Sequence, residues 1–109
     1  MATSPSTVDY ILDQLNSTQT TARKMFGEYA LYCGGKVVAL VCDNTLFVKI
    51  TEPGKTFVGR AYQEGSPYPG TKPALRIAPE NIEDADWLSE LITMTAAALP
   101  APKPKKSRA

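Results

Sequence analysis

Histidine is absent from all 109 residues, so the side chain that most often serves as general base or metal ligand near neutral pH is missing. Ser–His and Cys–His nucleophile systems therefore cannot be assembled from this chain. Two cysteines, Cys33 and Cys42, are too few for a four-ligand zinc site of the finger type. No stretch follows the glycine-rich patterns that cradle phosphates or dinucleotides. Carboxylates gather at Glu83, Asp84 and Asp86, but the start of a helix is sufficient reason for them, since its positive dipole end favours acidic residues. No catalytic residue, metal ligand or cofactor is assigned, and the chain reads as a binding protein rather than an enzyme.

Two other groups of residues suit binding. Of the twelve basic side chains, Lys103, Lys105, Lys106 and Arg108 sit in the last ten residues, leaving eight against eleven acidic ones in residues 1–99. The body is thus mildly acidic and the tail basic, so phosphate contacts with nucleic acid would fall to those four side chains. A solvated tail that aids solubility explains the same run equally simply. Tyr62 and Tyr68, in and beside the loop Gly65–Pro73, offer either a partner-binding surface or a cover for a sheet edge.

The elements that must position these residues follow from spacing. Residues 1–5 read as a flexible leader. Ser6 with Asp9 three residues on has the spacing of a helix start, and Val8, Ile11, Leu12 and Leu15 recur on one helical face. From 22 to 50 the pattern turns to strand. Gly34-Gly35 and Asp43-Asn44 are two-residue hairpin turns, which gives a three-stranded antiparallel meander over 22–33, 36–42 and 45–50. Gly27 interrupts the first strand and suggests a bulge or bend. A short helix at 55–59, an extended Pro-rich loop and a small strand at Ala74–Ile77 follow. A last helix from about Asp84 to Ala98 buries Trp87, Leu88, Leu91, Ile92 and Thr95. Residues 100–109, rich in proline and lysine, cannot pack a core and form a disordered tail. The domain proper is then 6–99, with fold class α+β.

Those turns imply a register. If Cys33 pairs with Lys36 and Cys42 with Thr45, one face carries Ala30, Tyr32, Val37, Ala39, Val41, Leu46, Val48 and Ile50. The other carries Tyr29, Leu31, Val38, Leu40 and Phe47, diluted by Thr45 and Lys49. Both are largely apolar, which is unusual for an antiparallel sheet with one wet side. Either the chain's own helices cover both faces, or a second copy buries the face of Tyr29, Leu31, Val38, Leu40 and Phe47 in a homodimer. The same register holds Cys33 and Cys42 roughly 20 Å apart at about 3.3 Å per residue. That is far beyond the about 7 Å a disulfide tolerates.

The stretch Arg23-Lys24-Met25-Phe26-Gly27-Glu28-Tyr29-Ala30-Leu31-Tyr32-Cys33-Gly34-Gly35-Lys36 resembles the signature of the TfoX/Sxy N-terminal domain family. Arg23, Met25, Phe26, Gly27, Leu31 and Tyr32 carry the likeness, while Glu28 and Ala30 stand where the family usually has glycine. The strands 37–41 and 46–49, Tyr68 and Trp87-Leu88 continue it, so that it spans about residues 6–98. The resemblance implies an α+β fold with a leading helix, a meander, small further elements and a closing helix. It also implies a regulatory or protein-interaction role linked to natural competence, whose longer relatives are transcriptional coactivators carrying a second helical domain. It brings no catalytic residues with it.

The longest apolar run, Val37–Cys42, is too short to cross a bilayer, and the first residues have neither the basic nor the apolar segment of a secretion signal. A bacterial cytoplasmic location is expected, with reduced thiols and no membrane partner.

Overall fold

The computed structural model describes residues 3–25, 28–67, 70 and 72–100. Four helices lie against one face of a six-stranded antiparallel sheet, in chain order α1 (Pro5–Gln14), β1 (Thr21–Met25), β2 (Glu28–Cys33), β3 (Lys36–Cys42), β4 (Thr45–Val48), α2 (Glu52–Val58), β5 (Glu64–Gly65), β6 (Ala74–Arg76), α3 (Pro79–Ile82) and α4 (Ala85–Ala98). The strand order across the sheet is β1-β2-β3-β4-β6-β5. The α+β class and the helix, meander, short helix, small strands and closing helix all appear as the sequence indicates.

Several boundaries move, each for a local reason. Helix α1 starts at Pro5, inside the stretch read as leader, because Ser4 rather than Ser6 is its N-cap. The Ser4 side chain accepts from the Thr7 backbone N–H at 3.4 Å, and Pro5 fits the first helical position, where no donor is needed. Thr3 is buried, and its hydroxyl shares its one proton between the Glu28 carboxylate and the Val41 carbonyl. Helix α2 begins at Glu52, three residues before the predicted start, because Thr51 caps it by accepting from Gly54 N–H at 3.1 Å. Asp84 does the same for α4, accepting from Trp87 N–H at 3.1 Å.

The predicted first strand is two strands. Thr21–Met25 and Glu28–Cys33 pair with each other, from Thr21↔Tyr32 to Met25↔Glu28, so the chain reverses where a bulge was expected and the meander has four strands. Gly27 and Phe26 lie outside the described residues. The other two turns are as predicted: Cys33 pairs with Lys36 and Cys42 with Thr45. Gly34, Gly35, Asp43 and Asn44 all have positive φ, the signature of the tight turns whose twist matches the strands they join.

Between these turns the pairing slips. Tyr32 faces Val37, but Leu31 faces Ala39, so two residues of β3 oppose one step of β2. That bulge reassigns sides, because a one-residue slip moves every following side chain to the opposite face. Tyr29, Leu31, Val38, Ala39, Val41, Leu46 and Val48 point into the main core with Leu75 and Ile77. The helices supply Val8, Ile11, Leu15, Val58, Ile82, Leu88, Leu91 and Ile92 to that same cluster. The cluster on the far side, Cys42, Phe47 and Ala74 with Leu40 against it, contains strand residues alone. Among the described residues the helices therefore cover one face, not both as the first alternative has it.

Close packing joins the helices. A side chain at Gly54 would meet Thr51 Oγ1 at 3.0 Å and Leu91 Cδ1 at 3.5 Å, so α2 approaches α4 at the one position with no side chain to obstruct it. Phe57 and Trp87 stack across the same seam with ring centres 5.5 Å apart.

Candidate interaction surface

The far face of the sheet follows from strand alternation on the observed pairing. It carries Arg23 on β1, Ala30 and Tyr32 on β2, Val37, Leu40 and Cys42 on β3, Phe47 and then Lys49 on and just after β4, and Arg76 on β6. The predicted partner face therefore divides. Leu31 and Val38 have no exposed surface and belong with Tyr29 to the helix-covered core, whereas Leu40 and Phe47 remain on the far side. The bulge between Leu31 and Tyr32 is the cause.

Leu40 and Phe47 floor a groove of about 650 Å³ whose walls include Lys49, Ile50, Glu64, Lys72, Ala74 and the chain end Leu99-Pro100. A hollow of about 420 Å³ continues from it past Tyr32 and Val37, sharing Lys49, Leu99 and Pro100. Strands β3, β4, β6 and β5 and the end of α4 build this site. The pair Phe47↔Arg76 sets β6 beside β4, and Gly65↔Ala74 sets β5 beside β6. Gly65 is needed where it stands, since a side chain there would meet the Phe47 ring at 3.0 Å. Lys49 extends the ladder through its backbone N–H, which donates to the Val38 carbonyl at 2.9 Å.

The wall at the end of α4 is held by Lys36. Its ammonium donates to the carbonyls of Ala96 (2.6 Å) and Leu99 (2.9 Å), two of the acceptors a helix leaves open at its C-terminus. A cation there also meets the negative end of the α4 dipole. The side chain thus ties the β2–β3 turn to the point where α4 gives way to Pro100.

Charge divides unevenly between the two layers. Asp9 and Asp13 on α1, Glu52 on α2, Glu80 on α3, and Asp86 and Glu90 on α4 are all exposed, against Lys24 and Lys55 on that side. Arg23, Lys49 and Arg76 on the far face and Lys72 beside it are exposed as well. The anion of that face, Glu28, is turned to its edge, where it accepts from Thr3 and from the Asp43 backbone N–H. Glu64, at the groove wall, accepts from the Tyr62 hydroxyl, a bond that raises the Tyr62 pKa, with burial and the charges of Glu64 and Glu52 adding to it.

Of the signature residues, Arg23 lies over the Tyr32 ring, 6.0 Å from its centre, on the far face, while Leu31 is core. Met25 pairs with Glu28 across the hairpin. The cysteines are free and on opposite sides. Cys33 is half-buried toward the helices, its thiol near the Thr18 carbonyl at 3.6 Å. Cys42 is buried in the far-side cluster, where burial first and the Glu28 charge second raise its pKa. The tail cations Lys103, Lys105, Lys106 and Arg108, and Tyr68, lie outside the described residues.

Sequence reasoning found Leu40 and Phe47 and placed Lys49 beside them. It missed Lys72, Ala74, Leu99 and Pro100, which reach the groove only through the β4–β6 pairing and the docking of α4. Among the described residues no group of three or more Cys, Asp or Glu could hold a metal ion, and no helix is long and apolar enough to cross a membrane.

The family model for the TfoX N-terminal domain matches residues 11–99. The chain is also similar to an "uncharacterized 12.7 kDa protein in trpE 5' region" of Spirochaeta aurantia, 41% identical over 109 residues, covering 99% of this chain and 93% of that protein.

Proposed function

The chain belongs to the TfoX N-terminal domain family, and from that premise we propose that it is a non-catalytic regulatory module acting through protein–protein contacts in the bacterial cytoplasm. The link to competence and transcription is the family's and comes to this chain as part of the proposal. The observation that carries the reading is the groove over Leu40 and Phe47, an apolar floor on the sheet face that lacks helices. Exposed apolar patches rimmed by polar residues mark protein-interaction sites and ligand-binding grooves. A photo-crosslinking residue at Leu40, used in nuclease-treated native extract, should yield protein adducts. The same probe at Asp13, on the exposed side of α1, should not. Adducts from position 13 with none from position 40 would remove the groove from the function.

A homodimer through the far face is the form of this reading in which the partner is a second copy. Light scattering across a dilution series tests it, and a monomer throughout excludes it. The tail supports a second reading, nonspecific nucleic-acid binding through Lys103, Lys105, Lys106 and Arg108, since each phosphate contact adds salt-dependent affinity. Removing residues 101–109 should then abolish a salt-sensitive mobility shift, and unchanged binding would refute it.

A further inference from the structure

Resting on the reading of the groove as a protein-contact site, we propose that its partner is an acidic, apolar peptide segment of another protein. The floor is apolar, formed by Leu40, Phe47 and Ala74, and its rim carries the exposed cations Lys49 and Lys72, with Arg76 next to Phe47 across the β4–β6 pair. A ligand with apolar side chains for the floor and carboxylates for the rim complements both features.

The other occupants fit less well, for physical reasons. Two copies stacked face to face would bring Arg23, Lys49, Lys72 and Arg76 of one against the same four of the other, and like charges juxtaposed across an interface oppose association. Single-stranded nucleic acid would satisfy the cations but needs open aromatic faces on which bases can stack. Phe47 is only 8% exposed, and the Tyr32 ring already has Arg23 over it. The acidic helical layer of this same protein would repel an acidic segment, so the uneven division of charge also directs the ligand to one side.

Fluorescence anisotropy with the full chain tests this against three labelled probes: a ten-residue peptide alternating Glu with Leu, the same peptide with Lys replacing Glu, and a ten-nucleotide oligothymidylate. The acidic peptide should bind saturably, at least about tenfold more tightly than the other two at ~0.15 M salt, and should weaken as salt screens the rim. Reversing the rim with Lys49→Glu and Lys72→Glu together should weaken it by about tenfold. Asp13→Asn should leave it unchanged. Thermal melts of each variant establish that the fold persists. No saturable binding of the acidic peptide, equal binding of the two peptides, tighter binding of the oligonucleotide, or indifference to the rim reversal would each overturn the proposal. If the peptide fails while crosslinking at Leu40 still captures protein, the partner chemistry falls and the groove's role stands. Failure of both removes the underlying reading.

Discussion

On the helix side of the sheet, Leu31, Val38, Val41, Leu46 and Val48 are wholly enclosed, while on the far side Tyr32, Val37 and Leu40 of the same strands stay half-exposed. Residue type does not separate the two sets, since Val37 and Val38 are adjacent and chemically identical. What separates them is which side of the bulge-adjusted pleat each falls on, and that the helices of the described residues pack against one side. The enclosed face leaves none of that apolar surface to water, whereas the far face keeps some of it exposed. Charge leans the same way, with most of the exposed carboxylates on the helices, beside Lys55, and exposed cations around the far face, beside Glu28 and Glu64.

Substitutions should separate the faces sharply. Leu91→Ala, in the centre of the helix-side core, should cost about 2–5 kcal/mol, as buried leucine truncations do. Leu40→Ala on the far face should cost under about 1.5 kcal/mol because less surface is lost from burial. Urea unfolding of both would measure the gap, and equal losses would mean the far face is as much a core as the near one. Gly54→Val should come next, at about 2–3 kcal/mol, since it overpacks the α2–α4 seam and displaces the Thr51 cap. Lys36→Met should cost about 1–2 kcal/mol by leaving the last carbonyls of α4 without their cation. It should also loosen the Leu99-Pro100 wall, seen as faster amide exchange at the end of α4.

The cysteines sharpen the comparison through pH. Burial raises the Cys42 pKa above its ordinary value of 9.0, so the folded state holds that proton more tightly than the unfolded chain. The contribution to stability is fully present below 9.0 and is lost as pH rises from there through the raised folded value. Urea midpoints between pH 8 and 10 should fall less steeply in Cys42→Val than in the parent chain, and Cys33 should be alkylated faster than Cys42. The smallest effect belongs to the exposed Glu52–Lys55 pair, 3.9 Å apart, where Lys55→Met should shift stability by less than about 0.5 kcal/mol.

Much of the fold was legible because local chemistry specified it. The two tight turns, the apolar stripes of α1 and α4, and the small strand at Ala74 all rest on neighbouring residues. The misreadings share a different cause. Phe26-Gly27 lies between segments that read as one strand, and only the Thr21↔Tyr32 to Met25↔Glu28 pairing reveals the reversal. The bulge at Leu31/Tyr32 has no glycine or proline to announce it, so faces assigned from the two flanking turns were crossed for Tyr29, Leu31 and Val38. The groove was half visible: Leu40, Phe47 and Lys49 alternate on one strand pair, but Lys72 and Leu99-Pro100 arrive from residues remote in sequence.

By itself the sequence excluded histidine-based chemistry, set the α+β element order through turns and periodicities, and carried the family signature from Arg23 to Lys36. Those properties are composition and short-range pattern, which the chain states without folding. Only the tertiary structure decided which apolar residues are core and which are surface, because a single slipped pairing in β3 exchanges the two faces. It also decided that Lys36 closes α4 and that Lys49 and Lys72 flank one apolar groove, since both depend on contacts between segments far apart in the chain.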